Sequence, residues 1–338
     1  MTDPISSRAS RDAPAMAPTS ATRPGRDHGR ADARADGRTD GRAVERIYAL
    51  QAGRKPWLSR AALTRWAVRA GVFVALCIIL LPGLWVVLNA FRTNVAILAR
   101  DDVFSASTYT LDNFRHIFGV GDAAAIPVRA YFTNSVIISV SSTVIAILVG
   151  LAGGYAFARY RFRAKNALFV GLMLSRAVPG IALSLPVFIL WSWLGLIDTK
   201  IGTILVYVAM NVPFSVWLID GFFRQIPREL AEAAEIDGCT RWQAFWYVEF
   251  PLATSGVASA AIFAFLTSWN EYALASQLTR STDTKTLPVG LMDFTAQFTI
   301  DWAGMCAMAV IIIVPALILT FIVQKHLIAG LTLGGVKG

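Results

Sequence analysis

The chain has 338 residues, 55% of them hydrophobic and 16% charged. Its mean hydropathy of +0.54 is too high for most soluble proteins and places it in a membrane. The net charge of +9 does not point to nucleic acid, because residues 1–69 alone hold 14 Arg and Lys against 7 Asp and Glu. Three cysteines (Cys77, Cys239, Cys306) and three histidines (His28, His116, His326) are too scattered for a disulfide framework or a histidine-based metal or catalytic site.

In chain order, the first 60 residues are rich in Arg, Asp, Ala, Gly and Pro, with an imperfect repeat from Gly29 to Arg42. They offer too little apolar surface to offset the entropy of ordering, so a disordered basic tail is expected over 1–65. It is not a signal peptide, since no apolar core follows the first basic residues. Arg54, Lys55, Arg60, Arg65 and Arg69 could draw the tail to anionic headgroups. The favoured reading is a plain solvated tail, or Met16 as the true start.

A spanning helix needs about 20 apolar residues, and six segments qualify, at 70–91, 131–158, 167–197, 201–222, 253–274 and 302–324. The third is long enough to tilt or kink and contains Pro179, Gly180 and Pro186. Arg176 lies nine residues into it, about 14 Å deep at 1.5 Å per residue. It either donates to a translocation path or a partner subunit, or satisfies carbonyls freed near Pro179. Asp220, at the end of the fourth span, is placed for an ion pair with Arg224 one turn later.

Between the fourth and fifth spans, residues 223–252 form an island of charge. Pro227 precedes a helix-forming run from Arg228 to Asp237 that Gly238 stops, and Thr240 with Gln243 fits a capping box opening a second short helix that Pro251 ends. Ala231, Ala233 and Ala234 keep the first helix low enough for a partner backbone to approach. Trp269, Asn270 and Glu271 close the fifth span, and are suited either to a sugar's ring face and hydroxyls or to bonding between helices. Pro213 and Pro315 are further candidate hinges, though a weak signal.

Arg159, Arg161, Arg163 and Lys165 fill the loop between the second and third spans and mark it as cytoplasmic. Counting outward places both termini and the 223–252 loop inside. Trp191, Trp193, Trp302 and Tyr131 then lie at the outer ends of their spans, as an aromatic belt requires. The expected fold is an all-α integral membrane protein of six transmembrane helices, N-in and C-in, with a cytoplasmic two-helix loop.

Glu232, Ala233, Ala234, Gly238, Val248, Phe250 and Pro251 fall in the register of one specific motif. With it, the chain resembles the permease subunits of binding-protein-dependent ABC importers, Phe250 and Val248 standing for the usual Leu and Ile. Further likeness to the carbohydrate branch, above all to the second, smaller permease of maltose-type systems, comes from several stretches. They are Thr110–Phe114, Asn134–Ser135, Gly154–Arg159, Trp269–Tyr272, Thr286–Leu291 and Gly330–Gly338. The resemblance covers residues 66–338 and implies that the loop couples to a separate ATPase subunit through Glu232, Ala233, Ala234, Asp237, Gly238 and Pro251. It also implies a second permease, two ATPase subunits, an extracytoplasmic solute-binding protein and a bacterial inner-membrane location. Arg176, Trp269, Asn270 and Glu271 become candidates for the substrate pathway.

No GxxxxGK[ST] phosphate loop occurs, so ATP and magnesium are expected to serve the partner ATPase, with no cofactor or catalytic residue on this chain. The expected function is passage of a sugar or related polyol. The alternatives are a permease for another solute and an ion-gradient-driven carrier, although neither inverted repeats nor a midplane acid is visible. A membrane-embedded enzyme would need clustered His, Asp or Glu at depth.

Overall fold

The computed structural model describes residues 60–119, 126–295 and 300–332, with side chains from 63 to 322. The tail before residue 60, the question of Met16 and the end of the C-terminal motif lie outside the described residues. The chain divides into two compact units, Met1–Gly71 and Val72–Gly338. Every helix that positions the site lies in the second unit; among the described residues, the first turns of the opening helix belong to the first.

The long helices are α1 (Arg60–Ala90), α2 (Val128–Arg159), the pair α3 (Lys165–Ser175) and α4 (Gly180–Trp193), and α5 (Lys200–Gln225). After them come α6 (Arg228–Ile236), α7 (Arg241–Ala244), α8 (Phe250–Trp269) and α9 (Trp302–Thr332). Among the described residues, five helices are long and apolar enough to cross a membrane, and six spans result if α3 and α4 count as one. The all-α, six-span expectation therefore stands, with local corrections.

The third span is kinked, one of the two forms expected from its length and its prolines. Its two halves meet at 96°, because Pro179 disfavours helical geometry at Val178 and is itself extended, with ψ 132. Pro213 and Pro315 each remove one backbone donor but do not interrupt their helices, since α5 and α9 run through them. The fifth span ends at Trp269 rather than Leu274, and a separate turn, Ala275–Leu278, follows.

Helices α2 and α5 form the centre. Gly150 and Gly154 lie one turn apart on α2, and a Cβ on Gly154 would stand 2.9 Å from the Asp220 backbone nitrogen. Small residues at this spacing let two membrane helices approach closely, where apolar burial alone supplies no drive. Polar bonds fix their register with α8: Asn211 donates to the Ser268 hydroxyl at 2.9 Å, and Ser142 donates to the same oxygen at 3.0 Å. Towards the end that carries the α5–α8 loop, Leu151, Ala158, Ile219, Phe223, Phe245 and Ala253 share one buried cluster.

At the opposite end, Asp198 sits in the α4–α5 turn with a left-handed backbone, φ 57. Its Oδ1 accepts from the Arg280 and Ser281 amides, both at 2.9 Å, and from the Thr284 hydroxyl. One short turn thus anchors the loop that joins α8 to α9. Burial pushes the Asp198 carboxyl up, but these donors together outweigh it and hold it at about 2.

Candidate functional site: the loop between α5 and α8

Helix α6 begins after Pro227, with Glu229 in its first turn facing the positive end of the helix dipole. It ends in a Schellman motif: the Cys239 amide bonds to the Ala234 carbonyl at 2.9 Å and the Gly238 amide to the Glu235 carbonyl at 3.1 Å. That closure needs a left-handed residue, and Gly238 adopts φ 95. Thr240 and Gln243 form the expected capping box, the Thr240 amide donating to Gln243 Oε1 at 2.8 Å.

The second helix does not stop at Pro251. From Arg241 the chain stays helical to Trp269, passing through a π-helical turn, Phe245–Glu249, in which the Phe250 amide reaches back to the Phe245 carbonyl. Pro251 then falls in the first turn of α8, where a missing amide proton costs little. The expected stop is therefore a widened turn inside one continuous helix.

Glu232, Ala233, Asp237, Gly238 and Pro251 are exposed, as a docking surface would require, but Ala234 faces inward and is buried. Beside them the most exposed apolar side chains are Ile236 at 86%, Trp242 at 69% and Tyr247 at 74%. Composition had marked this stretch only as charged. The signal for the patch was the helical spacing of Trp242 and Tyr247 away from the residues that pack inward.

Under the loop, Glu249 is 1% exposed. Its carboxylate accepts from Arg159 Nε at 2.5 Å and from the Tyr155 hydroxyl at 2.7 Å. Arg159 also donates to the Ile226 carbonyl at 3.1 Å, and Arg228 to the Ala158 carbonyl at 3.3 Å. Tyr155 packs against Phe245 and Phe223, with centroids 4.7 and 5.1 Å apart. An open pocket of about 270 Å³ lies between these groups and Ala231, Glu232 and Glu235 of α6. Asp220 pairs with Arg224 at 2.8 Å, as the four-residue spacing implied.

The pathway candidates are dispersed. Arg176 is exposed at the α3–α4 break, its guanidinium 5.1 Å from the Phe214 ring centre. It lines a mostly apolar pocket of about 400 Å³ with Pro179, Met210, Pro213 and Thr267. Trp269 is instead buried, its indole donating to the Ile312 carbonyl at 3.0 Å. Asn270 donates to the Leu266 carbonyl of its own helix at 2.9 Å. Glu271 accepts from the Leu274 and Ala275 amides at 2.9 and 3.0 Å and from the Tyr207 hydroxyl at 3.2 Å. Among the described residues, no group of three His, Cys, Asp or Glu could hold a metal.

Residues 142–332 match the family model described as the inner membrane component of binding-protein-dependent transport systems. The trehalose transport system permease protein SugB of Mycobacterium tuberculosis is 36% identical over 277 residues, covering 81% of this chain and 98% of that one. The diacetylchitobiose uptake system permease protein DasC of Streptomyces coelicolor is 31% identical over 257 residues, covering 76% and 91%. In fold, the chain is similar to a subunit of a bacterial ABC transporter involved in the import of the acidic polysaccharide alginate. That likeness has a TM-score of 0.66 at 20% identity, over 80% of this chain and 99% of that one. With a matched family segment longer than half the chain and near-complete coverage of such relatives, this protein belongs to the inner-membrane permease subunits of binding-protein-dependent ABC importers, and is a transport subunit rather than an enzyme.

Proposed function

We propose that this permease carries a sugar, a small oligosaccharide or a related polyol into the cytoplasm. What carries the reading is the spread of relatives named for such cargo, in trehalose, diacetylchitobiose, sulfoquinovosyl glycerol and arabinooligosaccharide systems, each spanning three quarters or more of this chain. A loaded solute-binding protein meets the outer loops. Two separate ATPase subunits, which use ATP and magnesium, dock on the α6–α7 loop, where exposed Glu232, Ala233, Asp237 and Gly238 adjoin the apolar Ile236, Trp242 and Tyr247. Closure of those subunits swings the permease from inward-facing to outward-facing. Both termini and this loop are cytoplasmic, a placement supported by the basic residues from Arg159 to Lys165.

A second permease completes the path. Its place is supported by the helix surface left uncovered: Phe73, Ile78 and Ile79 of α1 are more than half exposed, and no residue of α3 or α4 is fully buried. Arg176 and its pocket are the part of this chain best placed to line that shared path.

The test is purification of the complex from the membrane, with wild type and Ala233→Trp compared for retained ATPase and for ATP-dependent sugar uptake in vesicles. Ala233 is exposed on α6, so the bulk holds a partner off without disturbing the core. We expect wild type to retain two ATPase subunits and one further permease, and the variant to lose at least about tenfold in both readouts. Uptake that follows a proton or sodium gradient with no ATPase bound would sink the reading.

A further inference from the structure

We infer that the buried Arg159–Glu249–Tyr155 junction is the link through which movement of the docking loop is delivered to helix α2, so that these three are positioning residues for transport. The inference rests on the proposed docking of ATPase subunits at α6 and α7.

Docking residues alone do not explain how a push at the loop moves the membrane helices. The loop is joined covalently only to α5 and α8, and α2 comes from a distant part of the sequence. Glu249 closes that gap. It belongs to the chain that leads from α7 into α8, yet its carboxylate is held by two side chains from the last turns of α2, at 2.5 and 2.7 Å. Arg159 also bonds to the Ile226 carbonyl at the corner where α5 turns into α6. One guanidinium and one carboxylate thus tie together the end of α2, the start of the loop and the root of α8.

Stability alone is a poor account of this arrangement. Withdrawing a carboxylate from water is costly, and a buried ion pair can commonly be replaced by apolar side chains without loss. On one side the surroundings are aromatic, Phe223, Phe245 and the Tyr155 ring, a wall against which apolar side chains would pack as well, and on the other lies the open pocket. Directional bonds do what apolar packing does not, since they resist sliding and fix register. Glu249 is also the last residue of the π-helical turn, a rare geometry found frequently at functional sites. The widened turn aims the carboxylate back at α2 while Pro251 starts α8. A thrust on α6 or α7 therefore displaces α2, α5 and α8 together.

The experiment compares Glu249→Gln and Tyr155→Phe with wild type as complete complexes in vesicles, measuring retained ATPase subunits, ATP hydrolysis and solute uptake. The first keeps volume and removes charge, and the second keeps the ring and removes one bond. We expect Glu249→Gln to hold its ATPase subunits, to lose less than threefold in hydrolysis and about tenfold in uptake, so that solute carried per ATP falls. Tyr155→Phe should lower that ratio about threefold, and it decides the matter if Glu249→Gln accumulates poorly. A wild-type ratio in the variants overturns the inference, as does release of the ATPase subunits by Glu249→Gln, which would make the junction a scaffold for the docking surface. If wild type binds no ATPase subunit, the failure lies in the proposed function instead.

Discussion

Asp198 shows how one charge fastens two segments far apart in sequence. Its left-handed backbone suits Asn as well as Asp, so Asp198→Asn removes the charge while sparing the turn. The carboxyl lies at about 2 in the fold against an ordinary 3.8. A depressed value means that ionised Asp198 stabilises the fold fully above pH 3.8 and stops doing so as pH falls towards 2. Asp198→Asn is expected to destabilise the protein by about 1 kcal/mol at pH 7, with the difference shrinking as the pH drops from about 4 towards 2. Thermal unfolding in detergent across that range checks it, and a difference independent of pH would show that charge is not the cause. Asp112 is also lowered, first by the bond from the Thr110 hydroxyl and then by Arg115, but it is fully exposed and fastens nothing distant.

Among the helices, α2 against α5 is the pairing on which the remainder packs. Gly154→Val would press a branched side chain into Ile219 and the Asp220 backbone, and rigid helices do not yield by a full ångström. We expect a cost of about 3 kcal/mol and a sharp fall in the amount of protein recovered from the membrane. Recovery and uptake equal to wild type would show that the two helices separate more easily than this contact implies. The prolines carry the opposite lesson. Those at 82, 213 and 315 sit inside intact helices, whereas Pro179 makes a 96° bend and Pro251 follows a π-helical turn within a continuous helix. The difference lies in the backbone around each. At Pro179 the preceding turn has already loosened, the Arg176 and Ala177 amides bonding three residues back, and at Pro251 a π-helical turn absorbs the missing bond.

At the scale of the molecule, orientation decides which partner meets which face. A single cysteine at Arg163, in a background without Cys77, Cys239 and Cys306, should react with a membrane-impermeant maleimide only from the cytoplasmic side. One at Asp283, in the loop between α8 and α9, should react only from outside. The reverse pattern would put the α6–α7 loop on the wrong side for ATPase subunits and overturn the assembly proposed above. Only a fully consistent pair of labels supports it.

The six-span count, the two-helix loop with its Gly238 stop and capping box, and the Asp220–Arg224 pair were legible in the amino-acid sequence. Each depends on local chemistry: apolar length, a left-handed glycine, or side chains one helical turn apart. The Glu249 junction, the anchoring of the α8–α9 loop by Asp198 and the inward turn of Trp269 were not legible. Each joins residues about 40 or more positions apart, and no spacing rule reaches so far. Nothing in the sequence singles out Glu249, whose partners Arg159 and Tyr155 lie 90 and 94 positions away. Local sequence determined which segments cross the membrane and where they turn, because those choices are settled within a few residues. The tertiary structure alone decided which polar groups are buried together, because that depends on which helices pack side by side.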